Sequence, residues 1–94
     1  MAKLQFQNHD EIKAALQPGV IYWQVYFKYG LTEPETVIRQ DEHSSKLGTV
    51  ILYTDKYGSG YRYLDDMQNC EGKAVFTDYE MAVVFATQTI ENLT

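Results

Sequence analysis

The run VIYWQVYFKY, residues 20–29, constrains this chain more than any other stretch. β-branched and aromatic residues dominate it, and such side chains favour an extended, pleated backbone. Successive side chains of a strand point to opposite faces. The odd positions, Ile21, Trp23, Val25, Phe27 and Tyr29, are the more apolar set and are expected to face the core. The even positions, Val20, Tyr22, Gln24, Tyr26 and Lys28, then form a half-polar, tyrosine-bearing outer face.

Other segments supply the partners for such a strand. TVIRQ (36–40), TVILYTD (49–55), YRYLDD (61–66) and KAVF (73–76) read as further strands, with GLTEPE as a turn and DEHSSKLG as a polar connection. Leu4 and Phe6 alternate with polar residues and suggest a short leading strand. NHDEIKAALQPG reads as a short helix. Asn8 is its N-cap, Glu11 completes a capping-box spacing and Pro18-Gly19 ends it. Ile12, Ala15 and Leu16 share the face that packs on the sheet.

TDYEMAVVFATQTIENL is the strongest helical pattern. Thr77 with Glu80 has capping-box spacing, and Tyr79, Ala82, Val83, Ala86, Ile90 and Leu93 line one face, flanked by Phe85. The expectation is one α+β domain over residues 1–94. It comprises a small antiparallel sheet of four to five strands, a short N-terminal helix, and a C-terminal helix packed on one face.

YTDKYGSGYRYLDD (53–66) has the glycines of a phosphate loop without its other parts. A Walker-type loop ends in a Lys-Ser/Thr pair and opens a helix, whereas GSG here is followed by a strand pattern. Two β-rich runs joined by a few residues containing glycine make a hairpin. The tyrosines around it, Tyr53, Tyr57, Tyr61 and Tyr63, are not explained by the turn.

Charge and cysteine content exclude several classes. Thirteen acidic and eight scattered basic residues give a net charge of −5. Duplex nucleic acid is therefore disfavoured, because phosphate contacts need clustered Lys and Arg. The single cysteine, Cys70, cannot form an internal disulfide and fits a reducing setting. MAKLQFQNHD lacks the apolar core of a signal peptide, and VIYWQVYF is too short to span a bilayer. These features lead us to expect a cytoplasmic protein with no membrane association.

Candidate chemistry is sparse. Asp65 and Asp66 could form an acid pair, but neighbours on a strand face opposite ways, and a solvated strand end explains them as well. Asp41, Glu42 and His43 lie together without the spacing or second cluster of a metal site. Cys70 could pair with His9 or His43 as a nucleophile, yet the adjacent Glu71 would raise its pKa. Ser44, His43 and Asp41 are too close in sequence to build a triad. No catalytic residue, metal or cofactor is assigned.

The remaining signal is a binding surface. Tyrosine offers rigid contact area plus a hydroxyl and is enriched at protein interfaces, although cross-strand aromatic pairs also stabilise small sheets. The expected surface comprises Tyr22, Tyr26, Tyr57, Tyr61, Tyr63 and Arg62. Met81 and Val84 form a second candidate on the last helix. The expected function is that of a small acidic, non-catalytic protein-binding module of inhibitor or accessory type. Two alternatives stand beside it. One is an anionic-ligand binder with a tyrosine-lined pocket at a homodimer interface, its anion fixed by Arg39 or Arg62. The other is a small hydrolase-like enzyme using Asp41, Glu42, His43 or Asp65.

Overall fold

The computed structural model describes residues 3–42, 48–68 and 72–93. Helix α1 (His9–Ala15) is followed by strands β1 (Ile21–Tyr26), β2 (Gly30–Leu31), β3 (Glu35–Glu42), β4 (Thr49–Asp55) and β5 (Gly58–Tyr63). A 3-10 turn (Leu64–Asp66), strand β6 (Lys73–Phe76) and helix α2 (Tyr79–Leu93) complete the chain. All pairings are antiparallel, so the fold is α+β with a small sheet.

β1 is the centre of the sheet. β6 lies along one edge of it, while β2 and β3 share the other. β2 and β3 are in effect one return strand. Val25 pairs with Leu31 and Tyr22 with Glu35, three steps on β1 against four on its partner. The extra residue falls in the segment containing Pro34, which cannot donate to a ladder. β4 and β5 then extend the sheet through β3.

The cover is two-sided. α1 and the 3-10 turn bury Ile12, Leu16, Leu64 and Met67 against Tyr22, Val37, Ile51 and Val75 on one face. On the other, α2 packs over β1, β2 and β6, placing Ala82, Phe85 and Ala86 against Val25, Ala74 and Phe76. β1 is thus buried on both faces, and the expected division of its residues is overturned. Tyr22, placed outward in the sequence reading, is wholly buried, and Ile21, placed inward, is 48% exposed. Trp23 is only half-buried, its ring 5.2 Å from that of Tyr79. Tyr29, also expected inside, lies beyond the end of β1 and is exposed.

Local signals are otherwise realised closely. Asn8 Oδ1 accepts from the Glu11 amide at 3.0 Å, the cap expected for α1. The far end of α1 is held by β3, where Gln40 Nε2 donates to the carbonyls of Lys13 and Leu16 at 2.6 and 2.7 Å. These are carbonyls a helix terminus leaves without partners. β4 and β6 have the boundaries read from sequence.

Other elements differ. The strand read over 20–29 is shorter, Ile21–Tyr26, Gly30–Leu31 of the expected turn pairs as β2, and β3 extends beyond 36–40 to Glu35–Glu42. The strand expected over 61–66 ends at Tyr63, because a 3-10 turn of about three residues brings Leu64 and Met67 to one side, where both are buried. α2 is capped by Asp78, whose Oδ1 accepts from the Met81 amide at 3.0 Å, and not by Thr77. Thr77 is occupied by Gln5, which joins the N-terminal segment to the start of α2. The segment expected as a leading strand makes no ladder; Leu4 packs in the α2-side cluster and Phe6 in the α1-side cluster. α2 is also rotated from the expected face. Phe85 inserts between Phe27 and Phe76, at 5.6 and 5.2 Å, which turns Val83 outward. The side chains of Ile90 and Leu93 lie outside the described residues.

Candidate functional site

The expected tyrosine surface is divided among several places. Register fixes the first of them. Val50 pairs with Tyr63, Ile51 with Arg62 and Leu52 with Tyr61. Ile51 lies in the α1-side core, so Tyr61 and Tyr63 point to the α2 side and Arg62 to the α1 side. α2 sits over β1, β2 and β6, and no described helix covers the same face of β3, β4 and β5. There Asp41, Val50, Leu52, Tyr61 and Tyr63 line a hollow of about 350 Å³. The Tyr61 and Tyr63 rings meet edge to face at 5.7 Å, and Tyr61 is 63% exposed. The Tyr63 hydroxyl donates to the Tyr61 side chain, and this bond to its protonated form pushes its pKa above the ordinary value. Asp41, which lines the hollow, is paired with Arg39, whose Nε lies 3.1 Å from its carboxylate.

Tyr57 stands at the tip of the β4–β5 hairpin and is 80% exposed. Its amide donates to Asp55 Oδ1 at 2.8 Å, and Lys56 Nζ lies 5.1 Å from its ring centre. The glycines act here as structural residues. Gly58 follows the turn with φ +133°, a conformation other residues adopt only with strain. At Gly60 a Cβ would fall 2.8 Å from the Tyr53 hydroxyl, so the Tyr53 ring can lie over it only because that Cβ is missing.

On the α1 side, Tyr22 and Arg62 meet through Glu35. Tyr22 donates its hydroxyl to Glu35 Oε1 at 2.7 Å, and Arg62 Nε donates to the same oxygen at 2.6 Å. Arg62 Nη2 engages Oε2, making the contact bidentate. The guanidinium also sits 4.6 Å from the Tyr53 ring centre. Four strands therefore contribute to one part-buried charged network. Burial, with the Glu35 hydrogen bond, pushes the Tyr22 hydroxyl well above its ordinary value. The Glu35 hydrogen bonds push the Arg62 pKa up in turn. Tyr22 thus belongs to the interior, which corrects its expected place on an outer patch.

Beside this network lies a smaller cleft of about 150 Å³, lined by Gln24, Tyr61, Arg62, Tyr63, Asp66, Met67 and Lys73. β5 and β6 stand far apart in strand order, yet both line it, so the sheet curls around its α1 side. Tyr26 borders the cleft through Gln24 and Lys73. Its hydroxyl is 3.5 Å from Gln24 Oε1, and Lys73 Nζ is 5.7 Å from its ring centre. Neither Gln24 nor Lys73 was singled out in the sequence. The one available signal was a glutamine inside an otherwise apolar and aromatic strand.

The helix candidates form a third place. Met81 and Val84, with Lys3, Glu80 and Phe85, line a groove of about 300 Å³ on the outer side of α2.

The acidic candidates are engaged in surface contacts. Glu42 pairs with Lys13 and accepts from Thr49 at 2.8 Å, and the Lys13 hydrogen bond holds its carboxyl below the usual range. Asp65 lies 3.6 Å from His9. Among the described residues no three His, Cys, Asp or Glu side chains converge to hold a metal. His43, Ser44, Cys70 and Glu71 lie outside the described residues. No described helix is long and apolar enough to cross a membrane. The chain matches no family model, no curated protein and no solved structure.

Proposed function

We propose that the protein acts by binding a protein partner, in the manner of a small inhibitor or accessory protein in the cytoplasm, and not by catalysis. The observation that carries this reading is the uncovered α2-side face of β3, β4 and β5, where Leu52, Tyr61 and Tyr63 surround a shallow hollow. Aromatic anchors in a pocket with a polar rim are what protein interfaces use for most of their affinity. Tyr57 at the hairpin tip extends the same strand pair toward a partner.

An anion held by Arg39 or Arg62 at a dimer interface is less well supported. Each guanidinium is already engaged by a carboxylate, Asp41 for Arg39 and Glu35 for Arg62.

The test compares capture of partners from the source cell by the parent protein, a Leu52→Ser/Tyr61→Ser variant and a Val84→Ser control. A protein held by the parent and the control but lost by the face variant supports the reading. Retention by the face variant rejects it, and loss with Val84→Ser alone moves the interface to α2.

A further inference from the structure

The polar cleft on the α1 side is a second feature, sharing Tyr61 and Tyr63 with the face above but otherwise lined by different residues. Gln24 is 2% exposed, and its Oε1 is within reach of the Tyr26 hydroxyl. Among the described residues nothing accepts from its Nε2. A buried donor without an acceptor is costly to maintain, so native proteins rarely leave one without a structural or functional reason. Gln24 lines the cleft, and two cationic side chains, Arg62 and Lys73, line it with Gln24.

We infer that this cleft binds a small carboxylate, accepting hydrogen bonds from Gln24 Nε2 and from the Lys73 ammonium. The chemistry follows from the walls. Gln24 requires an acceptor, and Lys73 can only donate. Arg62 is already engaged by Glu35 through Nε and Nη2, so it adds positive charge to the wall and leaves the hydrogen bonds to Gln24 and Lys73. A carboxylate offers two oxygens in one plane and suits donors converging from neighbouring strands. At about 150 Å³ the cleft is smaller than the roughly 300–1,000 Å³ of ordinary small-molecule sites. It has room for the carboxylate end of a ligand, with the remainder lying outside. Asp66 on the rim works against an anion and keeps the affinity modest. The carboxylate can belong to a free small acid or to an acidic side chain of a peptide.

Amide and side-chain spectra of the full chain test the site at constant ionic strength. The probes are sodium acetate, the peptide acetyl-Ala-Glu-Ala-amide, and sodium chloride as control. The expected result is a saturable shift of the Gln24 side-chain amide with acetate or the peptide and none with chloride. Lys73→Gln should weaken binding about tenfold, the effect of one lost charge-assisted hydrogen bond. Binding much tighter for the peptide assigns the site to an acidic side chain, and equal binding assigns it to a free acid. The inference is overturned if neither probe saturates, if chloride gives the same shift, or if Lys73→Gln leaves the affinity unchanged. Gln24→Leu should abolish binding; should it unfold the chain, Lys73→Gln decides alone, since Lys73 is only half-buried.

Discussion

Replacing Arg62 with Met would strand Glu35. The Glu35 side chain is 9% exposed and receives two contacts from Arg62 and one from Tyr22. Removing one partner of a buried ion pair costs about 3–5 kcal/mol, because the other charge is left uncompensated. The lower end applies here. Arg62 is 29% exposed, so part of its attraction is screened, and the Tyr22 hydroxyl stays on Glu35. About 3 kcal/mol is a large share of the roughly 5–15 kcal/mol that stabilises a small domain. At about 4–8 °C per kcal/mol, the melting temperature should fall by roughly 12–24 °C. Urea unfolding followed by Trp23 fluorescence measures it, since the chain has one tryptophan. The triple replacement Tyr22→Phe, Glu35→Leu, Arg62→Met removes the whole network, and apolar groups in place of a buried pair are often neutral or stabilising. It should recover to within about 1 kcal/mol of the parent. A loss below about 0.5 kcal/mol for Arg62→Met, the range of ordinary surface changes, would refute the reasoning. So would a triple variant no more stable than the single one.

Further outcomes follow from the same geometry. Tyr22→Ala should cost about 3–5 kcal/mol as a core deletion, and Trp23→Ala less, since Trp23 is only half-buried; a reversed order by urea unfolding would return Tyr22 to the surface. Gly60→Ala should destabilise by about 1–3 kcal/mol, as overpacking does, because the Tyr53 ring lies where the new methyl must go; an unchanged midpoint would show that the ring moves freely. The folded state raises the Tyr22 hydroxyl pKa, so its contribution is complete below the ordinary value of 10.0 and is lost as pH rises beyond it. Stability should therefore fall on the alkaline side of pH 10.0, and Tyr22→Phe should lessen that fall in a pH series of melting curves. Duplex DNA should not be retained at physiological salt, since Lys13, Arg39, Lys56 and Arg62, four of the eight basic residues, are in ion pairs. Micromolar binding with a steep salt slope would contradict it.

What the sequence determines alone is local. Asn8 caps α1 three residues before Glu11, and KAVF and TVILYTD form strands with the expected limits, because capping and β-propensity depend on near neighbours. The turn after Asp55 is likewise legible from its glycines. Of the candidate surface, the sequence shows that Tyr61 and Tyr63 share a face, since strand parity requires it. It does not show which side of the sheet that face belongs to. Parity divides β1 into two sets without saying that both are covered. That depends on β1 lying between β6 and the β2–β3 return strand, with a helix on each face. Tyr22 is buried because Glu35 and Arg62, distant in sequence, meet it from other strands. Gln24 and Lys73 become a site only because β1 and β6 pair and the sheet curls toward β5. The rotation of α2 has the same origin: the helical pattern allowed several apolar faces, and the space between Phe27 and Phe76 selected the one bearing Phe85.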